Sequence, residues 1–477
     1  MSLKTVFVSG TFNVLHPGHL RLLRFARECG ERLIVAVHSD RIAGNSAHVH
    51  EHLRLEGVQC ITWVDESFIF DEPLTDLLIR LKPAVVVKGK EHEIMFNSES
   101  AVLEQSGGSL VFSSGETIFS SLDLIRNEFQ LKSFQSIRMP NEYMIRHEFV
   151  ASRLIELIKN FSQLKLCVVG DLIVDEYITC EPLGMSQEDP TIVVTPLDSK
   201  RFVGGAGIVA AHAAGLGAYA QFFSVTGNDE SRDFALAALA AGGVDAKLIL
   251  DEGRPTTLKQ RYRSKGKSLL RVSHLHQGAI SVALQKKLLD AINVGLEGAD
   301  LLVFSDFNYG CLPQALVDQI VTIAKNRGVF LVADSQSSSQ VGDISRFKGM
   351  NLITPTEHEA RISTRNREDG LVVLAEQLRQ QASAHSVFLK LGEEGLLIHA
   401  ATESGESWLT DRVDALNSAP KDVAGAGDSM LIASAMTLAC GGTIWEAACL
   451  GSLASAVQVG RMGNTPLSVD DLLRELN

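Results

Sequence analysis

Two short motifs in this chain bring glycine turns, ionisable side chains and helix starts together. Residues 9 to 19 read SGTFNVLHPGH, and residues 422 to 429 read DVAGAGDS. In the first, His16 and His19 flank Pro17 and Gly18 at a helix start, where proline is tolerated and backbone N–H groups lack intrahelical partners. Imidazoles and N–H donors aimed at one spot suit a triphosphate whose α-phosphorus is under attack. The same residues in isolation would also serve to cap and pack a helix. In the second motif, small residues at 424 to 427 precede Asp428 in the first turn of the apolar stretch MLIASAMTLA. Glycines there expose successive N–H groups to a transferring phosphoryl, and the helix dipole favours the negative charge that develops. Asp428 can accept the proton of an attacking hydroxyl, and at a helix N-terminus its carboxylate is expected to stay ionised. An acidic N-cap on a glycine turn is the plain structural alternative.

The elements that must position these groups read as alternating short apolar runs and amphipathic stretches, the signature of parallel sheets covered by helices. TVFVSG, RLIVAVHSD, CITWV, AVVVKG and GSLVFSS are expected strands of a first α/β unit over residues 1 to 131, with Leu20, Leu23 and Arg27 marking its first helix. A linker and a helix with period through Phe149, Leu154, Leu157 and Ile158 fill residues 132 to 162. A second unit, residues 163 to 477, opens with the strand KLCVVGDLIVDEYI and continues through a glycine turn, an Ala-rich helix and LLVFSDF, GVFLVADS, NLITPTEHEA and VFLKLGEEGLLI.

Bulk properties narrow the function classes. The 477 residues suffice for two or three cores, and 45% hydrophobic with 21% charged residues is ordinary globular composition. A net charge of −13 argues against a nucleic-acid footprint, so anionic substrates must be held by helix N-termini and a few local cations. The seven cysteines lack a CxxC pair or metal-ligand spacing, which points to reduced thiols. The chain opens on a strand, and no apolar run reaches the ~18 residues needed to span a bilayer, so no membrane association and a cytoplasmic address are expected.

SGTFNVLHPGHLRLL, with VAVHSD, VVKGKEHE and SSLDLI further on, resembles the cytidylyltransferase-like nucleotidyltransferases, especially the adenylyltransferase domains of bacterial ADP-heptose synthesis. The resemblance implies a Rossmann-like domain in which a sugar-1-phosphate oxygen attacks the α-phosphate of ATP or CTP with release of pyrophosphate, assisted by Mg2+. It would put Thr11 and Phe12 along the nucleotide, His16 and His19 on the phosphates, Asp40 beside the substrate, Lys88 and Gly89 in the nucleotide-side loop, and Ser120 and Ser121 at a helix start gripping the triphosphate. The chain departs from the pattern at Asn13, where Asp is usual, and at Glu51 or His52, where a phosphate-binding arginine is usual, with Arg54 close by.

GDLIVDEY, GGAGIVAA, SDF, TPTEHEA, LKLGEEG and AGAGDS, in that order, resemble the ribokinase-like sugar kinases, with heptose-7-phosphate kinases as the nearest pattern. This implies a ribokinase-like α/β domain with a small β lid that transfers phosphate from ATP to a sugar hydroxyl and dimerises. By the resemblance, Asp428 would be the base and Gly425, Ala426 and Gly427 the anion hole. Asp171, Asp175, Gly204 and Gly205 would bind acceptor hydroxyls, Glu359 would organise Mg2+, and Gly392 and Gly395 would shape the ATP loop. Thr356 replaces the usual Asn, Lys390 a usual Thr, and Tyr309 and Gln336 stand where the heptose kinases carry lysine. Each lost cation removes a charge-assisted contact of roughly 1.5–3 kcal/mol to a bound phosphate.

The combined expectation is a bifunctional sugar kinase and sugar-1-phosphate nucleotidyltransferase with the nucleotidyltransferase leading. Two other readings remain open: a kinase and cytidylyltransferase for a different sugar phosphate, and a chain with a degenerate site that binds nucleotide or sugar as a regulator.

Overall fold

Short β-branched runs that end at a glycine become parallel strands in both halves of the chain, and the residues just past those strand ends carry the chemistry. The computed structural model describes residues 4–13, 15, 17–44, 47, 49–89, 97, 99–113, 136–265, 267–337, 342–402 and 408–476. It divides into two compact units, Met1–Phe134 with Asn366–Gln377, and Gln135–Arg365 with Leu378–Asn477.

The first unit contains a parallel sheet of β1 (Thr5–Gly10), β2 (Arg32–His38), β3 (Glu66–Phe70), β4 (Val85–Gly89) and β5 (Ser109–Ser113), in the order β3-β2-β1-β4-β5. The order in which strands are laid down reverses between β1 and β4, and it is beyond the C-terminal ends of strands at such a point that open α/β sheets bind ligands. Phe7, Ile34, Ala36, Phe70, Leu77, Leu78, Val86 and Leu103 form a core in this unit. CITWV, expected as a strand, is instead a turn, and the strand lies just beyond it in Glu66–Phe70. Cys60 caps the preceding helix Glu51–Gln59 through its N–H to Glu56 O, and Asp65 accepts from Leu33 N–H, which sets the ESFIF register against β2.

In the second unit a nine-stranded sheet runs β10-β9-β6-β13-β14-β15-β16-β17-β18. These strands are β6 (Lys165–Gly170), β9 (Tyr219–Thr226), β10 (Asp245–Leu250), β13 (Leu301–Asp306), β14 (Phe330–Ser335), β15 (Leu352–Ile353), β16 (Ser386–Lys390), β17 (Leu396–Ala401) and β18 (Trp408–Val413). All neighbours are parallel except the last two pairings, β16 with β17 and β17 with β18. KLCVVGDLIVDEYI, read as one strand, is two: β6 ends at Gly170 and β7 (Leu172–Met185) leaves the main sheet. With β8 (Ile192–Gly205), β11 (Thr257–Ser264) and β12 (Lys267–His274), β7 builds a separate four-stranded lid, β12-β11-β7-β8. Gly170 permits the split, because a Cβ there would run into the Ser305 backbone on β13.

Two Ala-rich helices, Ala206–Gly215 and Ala426–Ala439, are buried on nearly every side. Small side chains let the second approach its neighbour Ile444–Val459 closely enough for Ser434 Oγ to donate to Ala447 O at 3.0 Å. The N-terminal end of Ala426–Ala439 is thereby fixed against the C-terminal ends of the central strands.

Candidate active site

In the second unit, the C-terminal ends of β6, β13, β14 and β16 carry Asp171, Asp306, Asp334 and Lys390. Against them stands Asp428 in the first turn of helix Ala426–Ala439, behind Gly425 with φ +76°. The left-handed turn at Gly425 is what swings the helix start over the strand ends, and a side chain there would collide with Asn464. Asp428 is 5% exposed and accepts a hydrogen bond from Gln336 Nε2 at 3.2 Å. Burial, with Asp334 close by, pushes its carboxyl up to about 7 against the opposing pull of Lys390 and Lys259. The expectation of a permanently ionised carboxylate is thus corrected: desolvation outweighs the helix terminus, and the group exchanges its proton near neutrality.

Of the expected anion-hole residues, Gly427 lies against Lys390, whose Nζ would be 3.3 Å from a Cβ built at that glycine. The Ala426 N–H is engaged by Val423 O at 3.3 Å, inside the turn itself.

Lys390 is the last residue of β16. Its ammonium donates to Asp334 Oδ1 at 2.8 Å, and Thr354 Oγ1 donates to the same oxygen at 3.0 Å. Burial alone would lower the pKa of that ammonium, but Asp334 and Glu359, with Asp428, outweigh it and hold the pKa above the ordinary value. Asp334 Oδ2 is buried with no hydrogen-bond partner. Glu359 is the third residue of helix Glu357–Thr364 and closes a capping box with Thr356. Its Oε2 accepts from Thr356 N–H at 2.7 Å and its Oε1 from Ser337 N–H at 2.9 Å. Thr356 therefore caps the helix as an Asn would.

The unpartnered oxygen of Asp334 and the nearby Glu359 form an acidic wall that fits a hydrated divalent cation. Among the described residues there is no group of three or more His, Cys, Asp or Glu that could hold a metal ion. Gly392 (φ +63°) and Gly395 (φ +91°) shape the tight connection from β16 to β17, with Leu391 N–H bonded to Gly395 O at 2.9 Å.

The two aspartates expected on acceptor hydroxyls have different surroundings. Asp171 accepts backbone N–H bonds from Phe307 (2.9 Å), Tyr309 (3.2 Å) and Cys311 (3.2 Å), which commits its carboxylate to the loop after β13. Burial and the neighbouring Asp306 push it up to about 6 even so. Asp175, inside the lid strand β7, accepts from Asn464 Nδ2 at 3.3 Å, while its buried Oδ1 accepts no hydrogen bond and lies 3.5 Å from the Arg261 guanidinium. Burial raises its pKa, opposed by Arg261 and Lys259. Gly204 and Gly205 lie opposite Ile173 and Leu172 on the adjoining strand, and Gly205 (φ +59°) caps helix Ala206–Gly215.

Lys259, Arg261 and Arg263 alternate along β11 and so share one face of the lid. Lys259 Nζ sits 5.2 Å from the ring centroids of both Phe307 and Tyr309, Arg261 lies over Tyr177, and Arg263 lies over Tyr177 and 3.6 Å from Asp422. Lys259 therefore lies over the Tyr309 ring, and Lys390 acts on Asp428, the acceptor of the Gln336 hydrogen bond. Sequence reasoning missed the three lid cations; the alternation KQRYR is the signal that would have found them.

In the first unit, the turn after β1 and the end of β4 meet at the sheet crevice. Phe12 (φ +53°) is buried, with its ring 5.1 Å from that of His19. Thr11 Oγ1 lies 3.3 Å from His38 Nδ1. Lys88 donates to Asn97 Oδ1 (2.9 Å) and Glu99 Oε1 (2.8 Å), beside Gly89 at the end of β4. Arg54 is fully buried and donates to Thr11 O (2.6 Å), Val49 O (2.7 Å) and Asp40 Oδ1 (2.6 Å). It braces the turn from within and holds the Asp40 carboxyl below the ordinary range. His16, Ser120 and Ser121 lie outside the described residues.

Comparison with known proteins agrees with this layout. Residues 163–471 match the pfkB family carbohydrate kinases and residues 7–131 the cytidylyltransferase-like family. The chain is 29% identical over 320 residues to the bifunctional protein HldE of Desulfatibacillum aliphaticivorans, covering 66% of this chain and 64% of that one. It is 30% identical over 326 residues to HldE of Rhodopseudomonas palustris strain HaA2, covering 67% and 65%. The match spans just under two thirds of these relatives' length. Among solved structures, phosphofructokinase-2 from Escherichia coli aligns over 66% of this chain and 98% of its own at a TM-score of 0.54 and 18% identity. Ribokinase from Thermotoga maritima aligns over 66% and 99% at 0.52 and 20%. At these identities the likeness is one of fold. No helix among the described residues is long and apolar enough to cross a membrane.

Proposed function

The chain belongs to the pfkB family of carbohydrate kinases and carries a cytidylyltransferase-like domain ahead of the kinase, and from that premise we propose that it phosphorylates a hydroxyl of an anionic sugar with ATP. The observation that carries this reading is Asp428, buried at a helix N-terminus beside Gly427 and poised to exchange a proton near pH 7. The acceptor oxygen bonds to the γ-phosphorus, the bond to the bridging oxygen breaks with its electron pair leaving on ADP, and the hydroxyl proton passes to Asp428. Asp175, with its unsatisfied oxygen, positions the acceptor. Lys259 and Arg261 on the lid give the pocket its preference for a phosphorylated sugar. Asp334 and Glu359 would hold the hydrated Mg2+ that neutralises nucleotide phosphate charge when bound.

The N-terminal domain, by the same reading, transfers a nucleotidyl group from ATP or CTP to a sugar 1-phosphate, with His16 and His19 on the phosphates, Thr11, Phe12, Lys88, Gly89, Ser120 and Ser121 around the nucleotide, and Asp40 beside the sugar. A heptose phosphate is the favoured substrate, because the relatives it matches are bifunctional HldE proteins. Exposed Leu183, Met185, Ile192 and Leu197 on β7 and β8 support assembly as a homodimer through the lid. The test is incubation of the full chain with ATP, Mg2+ and a panel of sugar phosphates, followed by phosphorus NMR: a new sugar phosphoester with ADP is expected, and ATP consumption with no phosphorylated acceptor would overturn the reading.

A further inference from the structure

Lys390 stands where three carboxylates and one helix start converge, and nothing in the proton-transfer scheme above uses it. Its ammonium is buried and bonded to Asp334, its charge reaches Glu359 and Asp428, and its Nζ lies beside Gly427. Its own backbone is fixed, since Lys390 N–H donates to Pro355 O at 2.8 Å and the residue bridges Thr356. From that fixed backbone the side chain reaches Asp334 with its ammonium and lies along Gly427.

Burying an ammonium together with its carboxylate partners is expensive even when they pair, and a phosphoryl group arriving at this helix start gives the charge a use beyond pairing. We propose that Lys390 is the resident cation of the phosphoryl-transfer site, a catalytic residue whose ammonium contacts the terminal phosphate of the bound nucleoside triphosphate next to Gly427. This rests on the kinase reading of the site. The ammonium keeps its protons throughout. It stabilises the oxygens of the phosphoryl group while the bond to the leaving ADP breaks, and it pairs with Asp334 alone once the transferred group has gone. Gln336, which donates to Asp428, occupies the complementary position, so the site carries its cation on β16 rather than after β14.

The experiment measures binding before turnover. The full chain is titrated calorimetrically with ADP and with the β,γ-imido analogue of ATP. The wild type is expected to prefer the triphosphate, and Lys390→Met to lose that preference, binding the analogue about tenfold or more weakly with ADP changed by less than about threefold. Lys390→Met should also lower kcat about 100-fold or more with little change in acceptor KM. Because Lys390→Met leaves Asp334 unpaired, the double variant Lys390→Met/Gln336→Lys is measured beside it. Recovery of triphosphate preference in the double variant supports a charge role at the phosphate. An unchanged preference for the analogue in Lys390→Met overturns the inference while leaving the kinase reading intact. Failure of the wild type to bind either nucleotide removes both.

Discussion

Gly204 keeps open the space that Asp175 occupies: a Cβ built at residue 204 collides with Asp175 Oδ2. The contact ties the last turn of β8 to the acidic group of β7 across an antiparallel pair, where Gly204 sits opposite Ile173. Gly204→Ala must therefore displace the Asp175 carboxylate. Acceptor kcat/KM is expected to fall by about tenfold or more, as for lost positioning of a reacting group, while ADP binding is unchanged. Steady-state kinetics with calorimetry on the same preparation checks this, and an unaltered acceptor kcat/KM would count against Asp175 as the acceptor-binding group.

Asp428 gives two linked expectations. With a folded-state value of about 7, turnover should rise through pH 7 and level off above it, and Asp428→Asn should lose about 10²–10⁴-fold in kcat. Stability runs the other way. The folded protein binds this proton more tightly than the unfolded chain, whose value is 3.8, so the associated stabilisation is complete below pH 3.8 and lost as pH rises through 7. Above pH 7 a buried carboxylate remains ionised at a cost that asparagine avoids. Thermal unfolding at pH 8 should show Asp428→Asn more stable than wild type, by at most about 4 kcal/mol, with the gap closing towards pH 5. A gap independent of pH would show that the carboxyl is not desolvated.

The lid cations should reveal themselves through the charge of the acceptor. Lys259→Ala and Arg261→Ala are each expected to raise KM for a phosphorylated sugar by about tenfold, the worth of one charge-assisted contact. KM for the neutral parent sugar should move far less. Raising the ionic strength should narrow the difference between the two acceptors in the wild type. Equal effects on both acceptors would assign these residues to lid packing alone.

Arg54 is a structural brace in the first unit, and its replacement should be felt as instability. Arg54→Met removes the donor from Thr11 O and Val49 O together and should cost on the order of 2 kcal/mol. Urea titration followed by a probe confined to the N-terminal domain reads this directly. An unchanged midpoint would mean that water replaces the guanidinium without loss.

Periodicity and turn residues made most of the strands legible, because a parallel sheet buried on both faces writes continuous apolar runs such as LCVVG and LLVFSD. CITWV misled for the same reason: it is apolar, but the helix before it ends at Cys60, and its residues form the turn. Local chemistry at AGAGDS placed Asp428 on its helix. Its proton affinity could not be read there, since the burial that raises it and the Asp334 carboxylate that adds to it exist only in the folded sheet. Lys390 and Tyr309 were noted as departures from a family pattern, and only the fold shows the ammonium of one against Asp334 and the ring of the other under Lys259.

The three N–H bonds from residues 307, 309 and 311 to Asp171 have a consequence for how this pocket can change over time. They hold the course of the loop through main-chain atoms, which every substitution there except proline retains. Side chains at 307, 309 and 311 can then be exchanged without redrawing its path, whereas Gly310 (φ +92°), where a Cβ would meet Gly278 O, is fixed. Tyr309, with its ring under Lys259 of the lid, occupies one such position. Acceptor preference in this architecture can drift by single substitutions, with the aspartate beneath serving as the fixed hinge-pin of a buried loop whose side chains are otherwise open to change.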